Sequence, residues 1–157
     1  MKKRYKVSLA LLTLLTASLI YVGPYVKMNF AESARYTEKD KREYEFYTPE
    51  LLKHMPRVVK DYEFGFFNVA GPGLLIYELK FRGATDTSQI DEYLAKHGYK
   101  KSSICDIQGE CWKGPDPKIS VSVGVIRDLK MLIISVMVEP SYNHETMENR
   151  GVNPESN

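Results

Sequence analysis

Residues Lys130 to Glu139 read KMLIISVMVE, a run that is polar only at its two ends and at Ser135. A segment this short and this rich in β-branched residues, apolar on both faces, reads as a central strand or one covered on both sides. Pro140 ends it, because proline offers no N–H to a ladder. It is also the segment most prone to aggregate if exposed.

The neighbouring segments supply partners for such a strand. Upstream, Ile119, Val121, Val123 and Val125 alternate with Ser120, Ser122 and Gly124, the period-two signature of a half-buried strand, and Arg127-Asp128 marks the turn between the two runs. Leu75, Tyr77, Leu79 and Phe81 fall on one face of another strand, with Glu78 and Lys80 on the other. The turn Ala70-Gly71-Pro72-Gly73 joins it to Asp61–Val69, where Tyr62, Phe64 and Phe66 alternate with Glu63 and Gly65.

Two helices are expected beside these strands. Thr48-Pro49-Glu50 opens the first, with Thr48 as N-cap, Pro49 in the first turn, and Leu51, Leu52 and Met55 as its apolar side. Asp86, Thr87 or Ser88 caps the second, in which Ile90, Tyr93, Leu94 and His97 share a face. Gly98 suits the left-handed position after it, and Tyr99 is placed to fold back onto its last turn. His97 reads as a helix-end histidine rather than a catalytic one. No βαβ alternation appears. The expected fold is α+β: an antiparallel sheet of four or more strands with two helices on one face, spanning 48–140.

Ahead of this domain lies Val7–Val26, VSLALLTLLTASLIYVGPYV, preceded by Lys2, Lys3, Arg4 and Lys6. At about 1.5 Å per residue, about 20 apolar residues cross a bilayer core about 30 Å thick. Tyr21 and Tyr25 sit where amphipathic rings favour the headgroup layer, and the basic cluster stays in the cytoplasm. Residues 1–27 therefore read as a basic flank and single-pass anchor of an inner membrane, which places the domain in the periplasm. A cleaved signal peptide would share the basic and apolar regions. Gly23-Pro24 is expected to break the helix, and Ala31-Glu32-Ser33 has small-x-small form but lies well past the apolar run. Residues 28–47, MNFAESARYTEKDKREYEFY, carry closely mixed charges and read as a stalk, with Tyr44, Phe46 and Tyr47 beginning to pack on the domain. Residues 141–157 are polar and unpatterned, as in a disordered tail.

Five of the 22 basic residues precede Met28, which leaves 17 against 20 acidic residues in the exported part, near −3. With no basic patch, nucleic acid is not an expected partner. The two cysteines, Cys105 and Cys111, are expected to form a disulfide across a hairpin tip, DIQGE, as suits an exported chain. No cofactor or metal is expected, because no metal-ligand spacing occurs. No Gly-x-Ser-x-Gly elbow or phosphate loop is present, and the carboxylates read as exposed, so no catalytic residue is assigned.

The function expected is non-enzymatic: a membrane-anchored protein that binds a protein partner in the cell envelope, as an immunity-type inhibitor or an accessory subunit of an envelope assembly. Trp112, beside the rigid hairpin, is the candidate contact, with Asp106, Glu110 and Asp116 as an acidic rim; the competing reading puts Trp112 in the core. An exported small hydrolase or small-ligand-binding domain is the alternative.

Overall fold

A computed structural model describes residues 2–103, 105 and 109–139, except for the side chains of residues 2–5 and 10. The tail at 141–157 and the candidate rim residue Asp106 lie outside the described residues. Helix α1 (Lys2–Asn29) is followed by β1 (Ser33–Tyr36), α2 (Lys41–Tyr47), α3 (Glu50–Lys53), β2 (Tyr62–Val69), β3 (Leu74–Arg82) and α4 (Ser88–Lys96). Strands β4 (Lys100–Ser102), β5 (Glu110–Lys113), β6 (Ile119–Ile126) and β7 (Met131–Val138) complete it.

All seven strands form one antiparallel sheet in the order β1-β2-β3-β7-β6-β5-β4. The KMLIISVMVE segment is β7, hydrogen-bonded on both sides, to β3 and to β6. It is the middle strand of the sheet, which is why it is apolar on both faces. Register then sorts the side chains. One cross-strand row runs Tyr36, Phe64, Leu79, Ile134, Val123, Glu110. The next runs Ala34, Phe66, Tyr77, Val136, Val121, Trp112, Lys101. These rows form the core face: Leu79, Phe81, Val121, Leu132 and Ile134 are fully buried there, as are Ile90 and Leu94 of α4. Burial of each such side chain stabilises by about 1.5–3 kcal/mol.

Helices α2, α3 and α4 all cover this face. Tyr47 of α2 stacks on Phe66 at 4.4 Å between ring centroids, Leu52 of α3 is buried in the same cluster, and Tyr93 of α4 donates to the Leu51 carbonyl at 3.0 Å. The α+β architecture thus has a wider sheet than the minimum of four, and a third short helix on the domain.

The added elements come from the segment expected to be a stalk. Ser33–Tyr36 pairs with Phe64–Phe67 as an edge strand, and Lys41–Tyr47 is helical. Tyr36 and Tyr47 are buried, and Tyr36 stacks on Phe64 at 5.7 Å. Their rings supply apolar contacts that outweigh the local density of charge. Burial pushes the Tyr36 hydroxyl up to about 12, although a hydrogen bond from Thr48 opposes the shift.

Two local expectations are corrected. Thr48 does not cap α3: its hydroxyl donates to Tyr36 at 3.2 Å, and Pro49 occupies the capping position without a side-chain bond. Gly23-Pro24 does not break α1, which runs through both residues to Asn29. A proline costs a helix one hydrogen bond, and the turns on either side hold this one. The second helix ends as expected: Gly98 has φ 83°, and the Tyr99 N–H reaches back to the Leu94 carbonyl at 3.0 Å.

Candidate functional site

With three helices on one face, the opposite face of the sheet carries no helix among the described residues. Its side chains are the second set of each alternation. Ser33, Phe67, Ile76, Met137, Ser120, Lys113 and Lys100 form one row across all seven strands. Phe67, Ile76, Ile133 and Met137 are only half-buried. One strand end of this face is apolar; the other is ionic. There Glu63 Oε1 is met by Arg82 at 2.8 Å, Arg35 at 3.1 Å and Lys80 at 3.8 Å. Burial would raise the Glu63 carboxyl, but the Arg82 hydrogen bond and charge, then Lys80 and Arg35, hold it below the usual range.

A groove of about 520 Å³ lies at the apolar end, between the cysteine hairpin and β7. It is lined by Leu74, the Cys105–Cys111 pair, the 112–115 segment with Trp112, the 117–120 segment, Met137 and Glu139. The wall is rigid for two reasons. Cys105 and Cys111 are disulfide-bonded with their α-carbons 5.5 Å apart, and β5 is laddered onto β6. At the turn beyond β5, a side chain on Gly114 would collide with the Tyr99 ring at 2.6 Å, so only glycine permits that close approach. The groove offers apolar and sulfur contacts between two lysines and one carboxylate, suited to holding a peptide or side chain.

The expected site residues divide. The disulfide is present. Trp112 is 4% exposed and points to the core face, so its ring belongs to the core and not to an exposed hairpin tip. The alternation that puts Cys111 and Lys113 on the open face turns Trp112 to the other side. Lys101 lies over the indole at 5.1 Å, and its ammonium also bridges Asp91 at 3.0 Å and Glu110 at 2.6 Å. Glu110 is therefore engaged by Lys101 rather than free at a rim. Asp116 is exposed, and its carboxylate accepts the Lys118 N–H at 2.9 Å. His97 is exposed at the end of α4, with Nδ1 2.7 Å from the Tyr93 carbonyl oxygen. No cluster of three metal-ligating side chains occurs among the described residues.

The open-face residues Phe67, Ile76 and Met137 escape a sequence reading built on the core-facing set. Their signal is faint: in β2 and β3 it is an apolar residue on the otherwise polar side, and in β7 it is the second apolar face.

At the amino-terminal end, α1 is long and apolar enough to cross a membrane over Lys6–Asn29, and the 18-residue apolar stretch within it has no buried residue. The disulfide is the chemistry of an oxidising compartment. Compared with known proteins, the chain matches no family, no curated protein and no solved structure.

Proposed function

We propose that this protein is a membrane-anchored, non-enzymatic binding protein that acts through protein–protein contacts in the periplasm. The observation that carries the reading is the open face of the sheet. It presents the Phe67–Ile76–Met137 row and, at the end of that row, the groove beside the Cys105–Cys111 bridge. Rigid apolar surface bounded by charge is what protein partners bury, since little entropy is lost on docking. The basic flank at Lys2–Lys6 supports an orientation with the domain outside the cytoplasm. The bridge supports an oxidising space.

Two roles fit: an accessory subunit of an envelope assembly, and an immunity-type inhibitor of a toxin that acts there. A photo-crosslinking residue at Ile76 or at Met137, in intact cells, tests the reading. Both positions should give one discrete protein adduct of the same mass, and a control at the exposed Leu129 in the β6–β7 turn should give none. No adduct from either face position, in protein that is stable and membrane-bound, would overturn it. An adduct in unchallenged cells supports the assembly role; one that appears only with a toxin supports the inhibitor.

The groove volume also falls in the range of small-molecule pockets, roughly 300–1,000 Å³, which favours ligand binding as a second reading. That reading predicts no adduct at Ile76.

A further inference from the structure

Between the apolar helix and the folded domain there is no slack. The last apolar residue of the run is Val26, and Met28 is already buried in the domain core. The Tyr47 hydroxyl donates to the Met28 carbonyl at 2.8 Å, which ties the end of α1 to α2. The Tyr25 ring lies 6.3 Å from Phe46, and the Arg42 guanidinium sits over Tyr25 at 5.8 Å. Ala31 donates to Met28, and by Glu32 the chain is bonded to the sheet, whose Asn68 N–H reaches the Glu32 carbonyl at 2.7 Å.

A helix that spans the bilayer with Val7–Val26 fills about 30 Å, the whole hydrocarbon core. The headgroup layer beyond it is about 5–7 Å deep on each side, or roughly four further residues of helix. Residues 27–30 then occupy that layer, and so does whatever is fixed against them. What is fixed there is an aromatic and basic surface. Phe30 is 83% exposed, Phe46 38% and Tyr25 36%, and Lys27 and Arg42 are exposed beside them. Exposed phenylalanine at this density is unfavourable in water, whereas aromatic rings and long cations are the residues that a headgroup layer stabilises. Glu43 and Glu32 also lie near this end, which makes the contact chiefly aromatic rather than a polybasic attraction.

We infer that the domain sits directly on the lipid surface, with Phe30, Phe46 and Tyr25 embedded in the headgroup layer of the membrane that α1 spans. The inference rests on the anchor reading of α1. It makes the domain a rigid collar at the membrane, so a partner of the open face must approach within reach of that surface.

The full chain, reconstituted in phosphatidylcholine–phosphatidylglycerol nanodiscs, tests this with single spin labels at Phe30→Cys, Phe46→Cys, Leu15→Cys and Leu129→Cys. Collision with oxygen and with a nickel chelate reports depth. The Leu15 label should be oxygen-rich and shielded from nickel, and the Leu129 label fully aqueous. The Phe30 label, and the Phe46 label with it, should show nickel accessibility at least threefold below Leu129. Nickel accessibility at both sites equal to Leu129, with Leu15 still in lipid, would overturn the collar and leave the anchor standing. An aqueous Leu15 label would overturn the anchor and the collar with it.

Discussion

Replacing Arg57 with alanine isolates what holds the α3 segment on the sheet. The guanidinium makes five hydrogen bonds: Nη1 to the Leu52 and Met55 carbonyls, Nη2 to the Lys53 carbonyl, and Nε and Nη2 to Glu38 Oε1. It also lies 5.2 Å from the ring centroids of both Tyr62 and Phe64. Leu52 and Lys53 end a helix of four residues and Met55 lies just past it, where no further turn supplies donors. Each bond from a charged donor contributes about 1.5–3 kcal/mol when water is excluded. The Arg57 side chain is 21% exposed, so water replaces part of what is lost. The expected cost of Arg57→Ala is about 2–4 kcal/mol, or roughly 10–25 °C in Tm for a domain of this size. Glu38, by contrast, is 43% exposed, and neutralising it in Glu38→Gln should cost only about 0–1 kcal/mol. Arg57→Lys keeps the charge and loses the planar fork, so it should fall between the two. Urea unfolding followed by fluorescence of Trp112, the only tryptophan and a buried one, measures all three. If Glu38→Gln cost as much as Arg57→Ala, the ion pair and not the carbonyl contacts would be the source of the stability.

Other substitutions probe separate parts of the structure. The Glu63 carboxyl titrates lower in the folded protein than unfolded, so its stabilisation is fully present above the unfolded pKa and is lost as pH falls through the folded one. Glu63→Gln should therefore weaken the protein at neutral pH and converge with the parent under acid; denaturation midpoints compared between pH 7 and pH 3 would show parallel curves if the linkage were absent. Removing the bridge with the paired change Cys105→Ser and Cys111→Ser should cost roughly 2–3 kcal/mol on loop-closure grounds, with chemical denaturation under oxidising conditions as the measurement. Leu79→Ala removes a fully buried side chain between Phe64 and Ile134 and should cost about 2–5 kcal/mol by the same assay. Gly114→Ala should displace the Tyr99 ring and lower Tm by several degrees, whereas Gly71→Ala, which meets open space, should not.

What the chain declares locally is its membrane-length apolar helix, four long strands, the α4 stripe and a disulfide between cysteines six residues apart. Each depends on neighbours in sequence: hydropathy over a bilayer's thickness, a period of two or of 3.6, or a short loop that keeps two thiols close. The strand and the helix within Met28–Tyr47 were not legible in this way. Its charges dominate the local pattern, and only Phe64 and Phe66, far along the chain, give Tyr36 and Tyr47 rings to stack on. The same holds for Trp112, whose side of the sheet follows from the register of β5 on β6, and for the pairing of β3 with β7 that closes two hairpin series into one sheet. Backbone ladders join strands through groups that every residue carries, so side-chain pattern alone does not name a strand's neighbour. The open face and its groove exist because tertiary packing put the domain helices of the described residues on the other side.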